Sequence, residues 1–193
     1  MALLSFTAAH TPTMMRALTT FRVHRLFAGA VAVTCGMLLL HLFPRLETEL
    51  FVGGAARLAS LLSGVAAVRM DEGWALSFSG QLMIVTAACS ATDFSLMTAA
   101  LLGWHFSRWA RSTWLLPAAA AGALVVSVPL TLSINALRLI AVAQMHCWVI
   151  PLLPSVYGHF LHMITGVAVF LPALIALNLL LEIYGRPRVT FRD

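Results

Sequence analysis

Residue types suited to acyl transfer stand at the ends of apolar segments in this sequence. A cysteine, Cys89, lies in "IVTAACSATDFS" (84–95). Asn135 and Arg138 sit one helical turn apart in "SINALRLI", and His159 and His162 do the same in "GHFLHMITG". A free thiol has a pKa of about 8.5 and attacks as the thiolate; a place at a helix N-terminus beside cations favours that form. A histidine takes the thiol proton and returns it to a leaving amine. An arginine keeps its charge and offers a fork of N–H donors to a carbonyl oxygen or a carboxylate. Cysteine, histidine and arginine facing one water-accessible space are therefore the parts of a thiol acyl-transfer site, with Cys89, Arg138 and His162 as the catalytic candidates. Asn135, His159 and Ser90, the residue after the cysteine, are candidates for substrate-binding or supporting roles.

Each residue also has an ordinary reading. Buried cysteines pack as small hydrophobes, and Cys35, in the middle of an apolar run, is read that way. Cys147 packs likewise, although its neighbour His146 makes it a rival nucleophile. Histidines near helix ends commonly sit at interfaces. Arg138 is harder to explain by packing, because an arginine within an apolar run costs about 2.5–3.5 kcal/mol on membrane-insertion scales and needs a partner or a task. Snorkelling to headgroups is its ordinary alternative.

The elements that must position these residues follow from composition. Of 193 residues, 61% are hydrophobic and only 10% charged, with a mean hydropathy of +0.92. A soluble domain typically carries about 25% charged residues, and a soluble core of this size leaves too much apolar surface uncovered. The expected fold is an all-α polytopic membrane protein. The net charge of +5 does not indicate nucleic acid, because the basic residues flank apolar segments in the positive-inside pattern. No signal peptide with a cleavage site opens the chain. Three cysteines without a CxxC pair argue against a disulfide framework or a zinc site.

Four runs approach the length of a span: 26–43, 90–106, 114–134 and 159–184. Arg16, Arg22 and Arg25 precede the first, Arg108 and Arg111 separate the second and third, and Arg186, Arg188 and Arg192 follow the last. With all three clusters in the cytoplasm, Cys89, Asn135, Arg138 and His162 fall together at the outer face. Segment 50–69, with Arg57 mid-run, reads as an interfacial or re-entrant helix. "MDEGWALSFSGQLMIVTAA" alternates Trp74, Leu76 and Phe78 ahead of Ser79-Gly80, a short outer-face β-hairpin. Segment 139–153, broken by Pro151 and Pro154, reads as re-entrant. The count is four spans, with six as the alternative. Residues 1–25 form a cytoplasmic segment, 26–184 a single integral membrane domain, and 185–193 a basic cytoplasmic tail.

In order and spacing, "ACS" with Cys89, "NALR" with Asn135 and Arg138, and "HMITG" with His162 and Gly166 resemble the exosortase/archaeosortase group, over roughly residues 65 to 182. The approach "GWALSFSGQLMIVTAACS" is also similar, and the small size resembles exosortase K. Two departures stand out: Ala91 replaces a glycine common two residues after the cysteine, and Asp93 stands where a basic or amide residue is more usual. The resemblance implies a membrane cysteine protease/transpeptidase in a bacterial inner membrane, with its site facing the periplasm. Cys89 is then the nucleophile, His162 the general acid/base and Arg138 the electrostatic stabiliser. Asn135 positions Arg138 or the substrate backbone, and His159 orients or replaces His162. The implied partners are membrane lipid and a protein substrate with a C-terminal signal: a short motif, often Pro-Glu-Pro, then an apolar helix and a basic tail. No cofactor is implied. The rival class is a small transporter or a metal- or haem-binding membrane protein, invited by seven histidines and nine methionines. The spread of the histidines, with His105 assigned inside and His162 outside, argues against it.

Overall fold

The computed structural model describes residues 11–71, 73–108, 110, 112–149 and 157–185. It is mostly helical. Among the described residues, five helices, α1 (Thr11–Leu42), α2 (Gly53–Ser63), α3 (Thr92–Phe106), α4 (Leu116–Trp148) and α5 (Gly158–Tyr184), accompany three strands, β1 (Ala67–Met70), β2 (Gly73–Phe78) and β3 (Gln81–Val85). A π-helical stretch, Glu47–Val52, runs directly into α2.

Two stretches, Thr113–Trp148 and Phe160–Tyr184, are long and apolar enough to cross a membrane. Leu26–Leu42 and Glu47–Ser63 make a third only if this pair, bent by 103°, counts as one broken crossing. The expected span at 90–106 is the shorter α3 of 15 residues, about 22 Å at 1.5 Å per residue, against a hydrocarbon core of about 30 Å. Against the four to six spans expected from sequence, two, or up to three, stand among the described residues by length and composition.

The segment 139–153 is not a separate re-entrant helix. Through Trp148 it continues α4, whose 33 residues reach about 50 Å. Pro129 sits inside α4 without ending it, and Pro151 and Pro154 lie outside the described residues. Segment 50–69 does contain the expected helix, but α2 stops at Ser63 with Gly64 in the left-handed region, φ 71°, closing the last turn on the Ser60 carbonyl. Residues 67–70 then form β1. The hairpin therefore becomes an antiparallel three-stranded sheet in the order β1-β2-β3. The predicted alternation holds from Leu76 to Phe78: Trp74, Leu76 and Phe78 are buried and Ser77 is exposed, while Ala75, of the opposite phase, is buried as well. Arg57, conspicuous in an apolar run, lies with its guanidinium 4.7 Å from the centre of the Trp74 ring, so a cation–π contact accounts for it.

Two packing centres result. In one, α2 and the sheet cover the C-terminal part of α4, burying Val52, Trp74, Leu76, Phe78, Val85, Cys89 and Leu139 with Ala55, Ala56, Ala59, Ala136 and Ala143. In the other, α1, α3 and the N-terminal part of α4 meet through Ala32, Ala99 and Ala120. There α1 and α3 cross closely, since a Cβ on Gly29 would lie 3.2 Å from the Ala100 carbonyl oxygen and one on Gly103 3.2 Å from that of Ala28. α5 lies along α4 and α3 and leaves Phe160, Met163, Ile164, Val167, Leu171, Ile175 and Ile183 exposed. Residues 1–10, the tail from 186 on, and the basic residues Arg111, Arg186, Arg188 and Arg192 lie outside the described residues, as do the side chains of Arg16, Arg22 and Arg25.

Candidate active site

Cys89 ends a short 3-10 turn, Ala87–Cys89, between β3 and α3. Its side chain is 9% exposed. The turn is held from α4: Asn135 Nδ2 donates to the Cys89 carbonyl at 2.7 Å. Asn135 is fully buried, so removing this bond strands a carbonyl and an amide together. The sequence reading gave Asn135 to Arg138 or to substrate; the structure gives its Nδ2 to the Cys89 backbone.

Arg138, one turn further along α4, is buried, and its Nη2 lies 2.9 Å from His162 Nε2 on α5. A guanidinium can only donate, so Nε2 is the acceptor and the imidazole proton of a neutral His162 sits on Nδ1. The guanidinium also lies 5.2 Å from the centre of the Phe170 ring, and Phe170 stacks on Phe94 of α3 with centroids 4.5 Å apart. The spacing of His162 and Gly166 acquires a physical meaning here. A Cβ on Gly166 would approach Arg138 Nε to 3.3 Å, so the bare α5 backbone makes the seat for the guanidinium that His162 grips one turn earlier.

Two openings meet at this pair. A cavity of about 240 Å³ is lined by β3, Cys89, His146, Cys147 and His162. A larger groove of about 710 Å³ runs between α3 and α5. Its polar lining is Glu47, Ser90, Thr92, Asp93 and Arg138, and its apolar lining includes Met97, Val167, Leu171 and Leu174. The structure thus brings Cys89 and His162 to one cavity and places Arg138 in the groove behind, joined by its bond to His162. Cys147, the rival nucleophile, and His146 line the same cavity as Cys89. The side chain of His159 lies outside the described residues.

The sequence reading missed Glu47. From the π-helical stretch it accepts a hydrogen bond from Ser90 Oγ at 2.8 Å and one from Thr92 Oγ1 at 3.3 Å. It therefore pins both sides of Ala91, which adopts a left-handed backbone, φ 56° and ψ 28°. Ser90 is engaged with Glu47 in holding the loop. Also unread was a run of hydroxyls between α3 and α4: Ser95 and Ser127 pair at 3.5 Å, and Thr98 and Thr131 are buried with no partner among the described residues. Small hydroxyls spaced by three or four within apolar runs were the available signal.

His105 is far from this end. It is buried and bonded through Nε2 to Asn178 of α5 at 3.1 Å, which ties the other end of α3 to α5. No group of three or more His, Cys, Asp or Glu side chains able to hold a metal ion exists among the described residues. Comparison with protein families, with curated proteins and with solved structures gives no match.

Proposed function

We propose that this chain is an integral membrane cysteine transpeptidase that cleaves C-terminal sorting signals at the outer face of a membrane. The observation that carries the reading is that Cys89, from the turn before α3, and His162, from α5, line one cavity, with Arg138 of α4 bonded to His162 and the Cys89 backbone fixed by Asn135. In this reading α1, α3, α4 and α5 all enter the bilayer of a bacterial inner membrane. The shortness of α3 sets Cys89 below the outer surface, and α2 and the sheet cover it.

The groove between α3 and α5 suits a substrate that is polar and then apolar. The tail helix lies against Met97, Val167, Leu171 and Leu174, and the scissile peptide passes between Arg138 and Cys89. Arg138 turns from His162 to the substrate carbonyl oxygen or a nearby carboxylate, which releases Nε2 to accept the thiol proton. The Cys89 sulfur then bonds to the carbonyl carbon, and the oxyanion is stabilised by Arg138. The C–N bond breaks, and His162 gives its proton to the departing amine, leaving a thioester. An amine or water attacks that thioester, the C–S bond breaks, and the acceptor's proton returns through His162 to the sulfur. Asp93 and Glu47 in the groove lining are acidic, and cationic groups are favoured there.

The test uses the protein in its membrane. Cys89 should react with a membrane-impermeant maleimide from the outer side and faster than Cys35. The His162→Ala and Arg138→Ala variants should change that rate. A reporter ending in Pro-Glu-Pro, an apolar helix and a basic tail should form a hydroxylamine-sensitive adduct with wild type and none with Cys89→Ala. Inert Cys89, or an adduct that persists in Cys89→Ala, would sink the reading.

A further inference from the structure

The cavity at Cys89 has an unusual wall. Gln81, Leu82, Met83, Ile84 and Val85, the whole of β3, line it without a gap. A sheet face contributes every second residue of a strand, because side chains alternate sides. An unbroken run of five means that the cavity lies along the edge of β3. That edge is open: β3 pairs with β2 alone, and no other backbone bond to β3 occurs among the described residues.

The register shows which groups it offers. Ser79 and Gly80, φ 49° and 80°, form the two-residue turn of the β2–β3 hairpin, a type I′ signature. The pair that closes such a turn, Phe78 and Gln81, is hydrogen-bonded, and bonded pairs alternate along an antiparallel ladder. Gln81, Met83 and Val85 therefore bond to β2, and the N–H and C=O groups of Leu82 and Ile84 point outward. Leu82 and Ile84 are also 62% and 50% exposed, although both side chains are large and apolar.

Resting on the transpeptidase reading, we infer that the substrate segment on the acyl side of the scissile bond binds in extended form as a fourth strand along β3. Its main chain pairs with Leu82 and Ile84, and the strand leads its last carbonyl to the Cys89 sulfur. The occupant is an extended peptide recognised mainly through its backbone, which permits varied side chains. The leaving helix lies beyond Arg138 in the groove, so the two openings divide the substrate at the bond to be broken. Prolines two residues apart turn both missing N–H groups to the same edge of an added strand, the one facing away from β3. A Pro-x-Pro motif is thus compatible with this pairing, and the residue between the prolines supplies the bonds.

The experiment measures binding in Cys89→Ala protein in lipid nanodiscs. The probe is a fluorescent synthetic peptide with a Pro-Glu-Pro motif, an apolar helix and a basic tail. Leu82→Pro removes one outward N–H at an edge position where proline fits the sheet, and it should raise Kd about tenfold. Arg69→Pro, the equivalent change on the outer edge of β1, should leave Kd within about twofold. An independent arm leaves the protein unaltered: ester replacement of successive peptide amides should weaken binding at every second position only. Unchanged binding in Leu82→Pro, or ester effects without alternation, would overturn the inference. So would loss of a dimer in Leu82→Pro with peptide binding intact, which would assign the edge to a second copy of this chain. Alternating ester effects without any thioester in wild type would uphold the docking strand and defeat the catalytic reading. Thioester formation at wild-type rate in Leu82→Pro would do the reverse.

Discussion

The two ends of this molecule are packed by different rules. The sheet-covered end buries large side chains, Trp74, Leu76, Phe78 and Leu139, against an alanine-faced α2. The opposite end is a seam of Ala32, Ala99 and Ala120, closed by Gly29 and Gly103 where backbones nearly touch. The first arrangement gains by removing apolar area from water. The second gains through close backbone contact, the device used where lipid is as apolar as the side chains and burial alone gives no preference. Cys89 belongs to the covered end by packing, yet α3, which starts three residues later, belongs to the seam. The candidate site occupies the boundary between the two regimes.

The largest expected effect separates chemistry from both. Cys89→Ala should lower processing of a sorting-signal reporter by on the order of 10⁴-fold or more, as loss of a covalent nucleophile does. The fold at either end should survive, because alanine replaces a side chain that packs as a small hydrophobe. Reporter cleavage and circular dichroism on the same preparation check both halves. Cleavage at an undiminished rate would remove Cys89 from the chemistry.

The next two effects set the regimes against each other. Leu76 is fully buried in the covered end, and Leu76→Ala should cost about 3 kcal/mol there, the transfer term plus a cavity. Gly103→Leu should cost about 2 kcal/mol by forcing α1 and α3 apart. Thermal unfolding followed by proteolysis of the β1–β3 region and by helix signal should show the first variant failing at the sheet and the second at the seam. If Leu76→Ala loosened the helices first, the division into two packing centres would be wrong.

A smaller effect is expected at the join itself. Gly166→Ala sets a methyl 3.3 Å from Arg138 Nε, which is tight enough to shift the guanidinium by a few tenths of an ångström. Misplacement of a positioning group by that much should lower kcat about tenfold with little change in stability. Kinetics of reporter processing beside a thermal midpoint distinguish this from simple destabilisation.

What the sequence disclosed follows the same division. The turn at Ser79-Gly80 and the alternation of Trp74, Leu76 and Phe78 were legible, because a period of two beside a turn signal is a local pattern. That Arg138 and His162 would meet was legible because an arginine inside an apolar run needs a polar partner. Glu47 was not, since its role depends on two hydroxyls more than forty residues away and on a π-helical stretch with no sequence signature. Strand β1 was lost because "AVRM" continues an apolar run, and only Gly64 marked the stop. The length of α4 was missed for the opposite reason: 139–148 carries no helix signal separate from 116–138, and the prolines beyond it suggested a break that lies after Trp148. Expecting 90–106 as a full span overlooked that Ser90 and the left-handed Ala91 stand outside the helix, which begins at Thr92.

Ala91 offers the smallest effect and the sharpest reading of the boundary. Its φ of 56° places an L-residue in the left-handed region, which costs roughly 1–2 kcal/mol relative to the right-handed helix. Serine and threonine on either side, both bonded to Glu47, hold the conformation against that cost. Glycine adopts the same angles freely but loses more entropy on folding, by about 0.5–1 kcal/mol. Ala91→Gly should therefore stabilise the protein by only about 0.5–1 kcal/mol, and by less in a Glu47→Gln background, where a weakened clamp lets Ala91 relax out of the left-handed region. The two substitutions touch one loop, so their effects should be non-additive, and a double-mutant cycle on chemical denaturation reads the coupling. Simple additivity would show that Glu47 does not restrain Ala91, and that the turn presenting Cys89 is fixed by Asn135 alone.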